Sequence, residues 1–75
     1  MVVEELKKKF ETEREVKFKL YSLEYIIKEE NNKVIIYPLL YSSKKNVYNS
    51  FDEVLYNYTI YNESIIDNLD RLIIL

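Results

Sequence analysis

Hydrophobic and polar positions change period twice along the chain, and each change predicts an element. Over residues 2–14, Val3, Leu6 and Phe10 recur at helical spacing and give a narrow apolar stripe. Glu4 and Glu5 precede Lys8 and Lys9 by four residues, the orientation in which such pairs support a helix by a few tenths of a kcal/mol. From Glu15 the period drops to two. Val16, Phe18 and Leu20 alternate with Lys17 and Lys19, as in a strand with one buried face. Further strands are expected at Leu23–Glu29 and Val34–Tyr41, joined by two-residue turns at Tyr21-Ser22 and Asn31-Asn32. Asn tolerates positive φ, so Asn31-Asn32 suits a type I′ turn, whereas Tyr21-Ser22 is the poorer turn.

Those turns fix a register. The first sets Leu20 opposite Leu23, Phe18 opposite Tyr25 and Val16 opposite Ile27, all on one face. It also sets Lys19 against Glu24 and Glu15 against Lys28 on the other face. The second turn sets Ile27 against Ile36 and Glu30 against Lys33. A slip of one residue would spoil both the apolar and the charge pattern. In this register Pro38 opposes Tyr25 at a non-hydrogen-bonded site, with its missing N–H directed outward. The third strand is therefore expected at the sheet edge, with Pro38 discouraging a further strand there.

Beyond the polar loop Ser42-Ser43-Lys44-Lys45-Asn46, the segment Ser50-Phe51-Asp52-Glu53 fits a capping box. It opens a helix carrying Phe51, Val54, Leu55 and Tyr58 inward and ending near Tyr58. Asn62-Glu63 reads as a turn, and Ser64-Ile65-Ile66-Asp67 as the start of a last short helix. Leu72–Leu75 fits either a short strand on the sheet or a buried tail. The expected fold is α+β: an N-terminal helix, a three-stranded antiparallel meander, then one or two short helices on one sheet face. Residues 1–75 form one domain on this reading, with no linker or internal repeat.

Composition narrows the chemistry. The chain has no His, no Cys and no Gly. The commonest general base, the thiolate nucleophile, the best transition-metal ligands and every glycine-dependent phosphate cradle are therefore missing. Asp52, Glu53, Asp67 and Asp70 are expected to cap or begin helices, where the macrodipole favours acids, rather than to converge on a cation. No Ser-x-x-Lys spacing supplies a serine nucleophile with a base. The expectation is a protein that is not an enzyme, with no catalytic residue, cofactor or metal.

Charges begin at Glu4 and no apolar run is long enough to span a bilayer, so a cytoplasmic location away from membranes is expected. The sequons at Asn57 and Asn62 then read as chance matches in an Asn-rich chain.

The net charge of −2 is unevenly spread. Residues 16–49 carry six Lys against three Glu, and residues 50–75 carry five acids against Arg71. Two candidate surfaces follow. On the sheet face opposite Phe18, Tyr25 and Ile36, the residues Ile26, Ile35, Tyr37, Leu39 and Tyr41 form an apolar, aromatic stripe. The stripe either meets a protein partner, closes a homodimer, or lies under the N-terminal helix or tail. Lys17, Lys19, Lys44 and Lys45, interleaved with Tyr residues, form a basic patch that could serve single-stranded nucleic acid, the less favoured alternative.

The charged first helix, the meander over Val16–Tyr41, Ser50-Phe51-Asp52-Glu53-Val54-Leu55 and Ser64-Ile65-Ile66-Asp67-Asn68-Leu69 share a layout with other chains. The order of elements resembles short uncharacterised α+β proteins of low-GC Gram-positive bacteria and their mobile elements. Such proteins often carry Gly in the late turn, where this chain has Asn62-Glu63. Ile, Lys, Asn and Tyr make up 33 of the 75 residues, a bias that suits an AT-rich genome. The resemblance implies a fold and no activity. The expected function is a protein-binding module or small regulator or inhibitor.

Overall fold

The alternating stretch that starts at Glu15 is a strand, and its neighbours pair with it in the register the apolar pattern requires. The structure is a computed structural model and describes residues 2–75. Helix α1 spans Val2–Glu13 and buries Leu6 and Phe10, the core of the predicted stripe. Arg14 follows at φ 62°, and its N–H donates to Phe10 O at 2.7 Å, so the helix ends on one left-handed residue that turns the chain into the sheet.

Strands β1 (Glu15–Leu20), β2 (Leu23–Glu30) and β3 (Lys33–Pro38) form the meander. Val16 faces Ile27, Phe18 faces Tyr25, Leu20 faces Leu23 and Glu15 faces Lys28. Across the second turn Ile27 faces Ile36 and Glu30 faces Lys33. Both connections are two-residue turns with positive φ throughout: 52° and 69° at Tyr21-Ser22, 54° and 65° at Asn31-Asn32. That is the type I′ pattern, whose twist matches paired strands. Tyr21-Ser22 thus adopts the tight turn despite its side chains, and the apolar register across it is kept.

The third strand is not the sheet edge, contrary to the reading of Pro38. Strand β4 (Asn46–Tyr48) pairs with it, placing Asn46, Val47 and Tyr48 against Ile36, Ile35 and Val34. Tyr25 and Pro38 are partners as expected, and the adjoining Leu39 N–H donates to Glu24 O at 2.9 Å. The ring nitrogen of Pro38 therefore points away from β2, toward the side where β4 lies. β4 stops two residues short of it. Proline limits how far the added strand runs and does not exclude it. The strand also ends at Pro38 rather than Tyr41, because Leu39 and Leu40 turn and the Tyr41 N–H returns to Pro38 O at 2.9 Å.

Helix α2 (Phe51–Asn57) begins as its sequence specifies. Ser50 Oγ accepts from the Glu53 N–H at 3.1 Å, while Glu53 Oε1 accepts from the Asn49 N–H at 3.3 Å. The carboxylate thus reaches one residue further back than in the usual capping box. A small hairpin of β5 (Thr59–Ile60) and β6 (Glu63–Ser64) follows, turning at Tyr61-Asn62 with φ 54° and 66°, one residue earlier than expected. One 3₁₀ turn, Ile66–Asn68, replaces the last helix. Strand β7 (Ile73–Ile74) pairs antiparallel with β1 at Lys19 and Phe18, so the C-terminal segment is a strand.

The sheet order is β4-β3-β2-β1-β7, antiparallel throughout. Its inner face, with Val16, Phe18, Leu20, Tyr25, Ile27, Val34 and Ile36, shares one core with Leu6 and Phe10 of α1 and with Phe51, Val54 and Leu55 of α2. Phe10 and Phe51 lie 4.7 Å apart between ring centroids, joining the two helices over the sheet. Each fully buried Leu, Ile or Phe of this layer contributes roughly 1.5–3 kcal/mol. The fold is α+β, with both helices on the inner face.

Candidate functional site

Strand alternation sends every second residue of β1, β2 and β3 to the face the helices leave uncovered. The register arranges them in rows across the sheet. One row runs Lys17, Ile26, Tyr37; the next runs Glu15, Lys28, Ile35, Val47. On the other side Lys19 lies between Ile73 and Glu24, and Glu24 O accepts from the Leu39 N–H. Apolar and aromatic side chains hold the centre, with charged ones around them.

The stripe is only partly exposed. Ile26 and Ile35 are buried, at 5% and 4% exposure, although neither belongs to the inner core cluster. Each sits mid-row between side chains of adjacent strands, Lys17 and Tyr37 beside Ile26, Lys28 and Val47 beside Ile35, and the long lysine stems can lie along it. Tyr37 and Leu39 are half-buried. Tyr41 lies past the end of β3, in the connection to β4, and is 51% exposed. The alternative in which α1 covers this face does not hold, since α1 packs through Leu6 and Phe10 on the opposite one.

The four lysines of the basic patch are all exposed, but they do not form one cluster. Lys17 and Lys19 lie on β1, whereas Lys44 and Lys45 belong to the β3–β4 connection. The Lys45 ammonium sits over the Tyr37 ring, 5.6 Å from its centroid, and Lys44 sits over Tyr41 at 5.2 Å. Lys28, which the sequence reading paired only with Glu15, also lies over Tyr37 at 5.7 Å. Such cation–π contacts contribute about 0.5–1 kcal/mol at exposed sites. Among the described residues, no ion pair involves Lys17, Lys19, Lys44 or Lys45.

Two further exposed apolar residues were missed. Val47, opposite Ile35, is 61% exposed, and Leu40 at the strand end is 78% exposed. Three residues of β4 are too few to show a period, so the sequence carried no signal for Val47. Leu40 fell within the expected strand Val34–Tyr41, where alternation puts it on the side of Val34 and Ile36; the turn that begins after Pro38 exposes it instead.

Elsewhere the titratable groups serve structure. Asp52 lies 3.6 Å from the Lys7 ammonium, and the Ser64 hydroxyl donates to Asp67 Oδ2 at 3.0 Å. Asp70 lies with Val2, Val3 and Leu69 around an open apolar hollow. Lys9 donates to the Leu75 carbonyl at 2.7 Å, beside a shallow hollow that includes Glu13 and Glu15. Among the described residues, no group of three or more metal-binding side chains converges. No helix among them is long and apolar enough to cross a membrane. Burial pushes the Tyr25 and Tyr58 phenols above their usual range, with neighbouring tyrosines adding to it. Both belong to the inner layer, with ring centroids 6.3 Å apart.

Compared with protein-family models, with curated proteins and with solved structures, the chain matches none.

Proposed function

We propose that the chain is a non-catalytic protein-binding module, a small cytoplasmic regulator or inhibitor, that engages its partner through the outer sheet face. The observation that carries this reading is the one-sided layering. Both helices pack on the inner face, while the outer face carries the half-buried Tyr37 and the exposed Val47, and Leu40 and Tyr41 lie exposed just past the end of β3. Exposed apolar and aromatic residues with lysine ammoniums at the Tyr37 and Tyr41 rings have the make-up of an interface centre with a polar rim. The lack of His, Cys and Gly supports a function without catalysis, and the absence of cysteine suits a reducing compartment. The layout and the Ile-, Lys-, Asn- and Tyr-rich composition support a bacterial or mobile-element origin.

Single-stranded nucleic acid is the weaker reading of the same face. Base stacking needs an open aromatic face. Lysine ammoniums already lie over the Tyr37 and Tyr41 rings, so a base would have to displace them.

A photo-crosslinking side chain in place of Tyr41 tests the proposal in lysate of the source organism. It should trap discrete proteins that the same group in place of the exposed Tyr56 on α2 does not trap. Equal trapping at both positions, or trapping of nucleic acid alone, would count against it.

A further inference from the structure

Charge bookkeeping on the outer face singles out one row. Three of its lysines stand opposite an acid: Lys28 across from Glu15, Lys19 from Glu24, Lys33 from Glu30. Lys17 stands opposite Ile26 and has no acid across from it on β2. The row continues through Tyr37 to the Lys45 ammonium 5.6 Å from that ring. A lysine with no acid across from it on β2 thus stands at one end of a short apolar and aromatic track, and a lysine whose ammonium meets only a ring stands at the other.

Resting on the protein-binding reading above, we propose that the occupant is an extended acidic peptide segment crossing the strands along this row. Its recognised pattern is acid, any residue, apolar, any residue, acid. The spacing follows from two lattices. Lys17 and Tyr37 are two strand intervals apart, about 10 Å at ~4.8 Å each, and the Lys45 ammonium lies beyond. An extended chain advances about 3.3 Å per residue and presents every second side chain to the same side. Residues four apart thus span about 13 Å, reaching Lys17 and Lys45; the acid draws the Lys45 ammonium from the Tyr37 ring, and the residue midway meets the exposed edge of that half-buried side chain without needing its face.

Size points the same way. The five strands, of 6, 8, 6, 3 and 2 residues at ~3.3 Å each and ~4.8 Å apart, give a face of roughly 400 Å². That is about half of what each partner contributes to a standard globular interface, and it suits a single peptide strand.

The test uses the full chain and labelled peptides followed by fluorescence anisotropy. One peptide has two aspartates four residues apart with a leucine midway; the second has the same composition with the leucine moved by one residue; the third probe is a short oligothymidylate. The first should bind best. The Lys17→Gln/Lys45→Gln variant, which alters only exposed side chains, should weaken it about three- to tenfold, the scale expected for losing two surface charge contacts. Lys7→Gln/Lys8→Gln on α1 should leave it unchanged. Equal binding of both peptides overturns the pattern, and tighter binding of the oligonucleotide overturns the peptide. If the first peptide fails to bind while trapping through Tyr41 succeeds, this inference fails and the protein-binding reading stands; if both fail, both readings fall.

Discussion

Tyr21 lies in the left-handed region at φ 52°, where a residue with a Cβ costs about 1–2 kcal/mol. What offsets that cost is visible around its ring. Its hydroxyl donates to Asn68 Oδ1 at 2.6 Å, and its ring meets Tyr61 edge-on with centroids 5.3 Å apart. Asn68 is the buried polar side chain of the described core, and its amide donates to Ser64 O at 2.9 Å. The first hairpin is thereby tied to the 3₁₀ turn. Ser22, at φ 69°, has no comparable compensation, so Ser22→Gly should raise unfolding free energy by about 1 kcal/mol in urea denaturation. Titration gives a second expectation at this scale. Tyr25 and Tyr58 have phenols held above the ordinary value of 10.0, first by burial and then by neighbouring tyrosines. The folded state thus keeps protons that the unfolded state releases. Stability from these groups is complete below pH 10.0 and falls as pH rises beyond it. Thermal melts stepped upward from there should show a declining Tm, with a shallower decline in Tyr58→Phe.

Elements differ in how clearly their residues announce them. The meander was legible because apolar pairs on one face and charge pairs on the other demanded the same register, and Phe18–Tyr25 and Glu15–Lys28 both hold. The start of α2 was legible through Ser50 and Glu53. Ser50→Ala should cost about 1 kcal/mol by the same denaturation measurement, since it frees the Glu53 N–H. Strand β4 and the β5–β6 hairpin were not legible. Two or three residues are too short to display a period, and their pairing is imposed by the neighbours they reach. Pro38 misled for a physical reason. Its missing N–H removes one bonding position, while β4 uses only Val34, Ile35 and Ile36. The stripe was read in its members and misread in its exposure. Alternation identifies which face Ile26 and Ile35 occupy, but not that neighbouring stems cover them.

At the scale of the whole molecule, charge and layering run together. Acids dominate residues 50–75, which include α2 and the 3₁₀ turn, whereas residues 16–49, which hold most of the large sheet and the β3–β4 connection, carry six Lys against three Glu. A chain of this size has little core to spare, and here that core lies on one side of the sheet. The outer face is left to sidechain-on-sidechain packing over Ile26 and Ile35, with exposed Tyr41 and Val47 at its rim. In the proposed function this face, and not the helical layer, meets the partner. Capture from lysate by the immobilised wild-type chain, compared with two double variants of unchanged circular dichroism, tests it most directly. Tyr41→Asp/Val47→Asp should reduce the captured protein at least about tenfold, as losing two contacts worth more than about 0.7 kcal/mol each implies. Tyr56→Asp/Asn57→Asp, at exposed positions of α2, should leave capture within about twofold. Capture that survives the first pair and is lost with the second would place the partner on the helical layer instead.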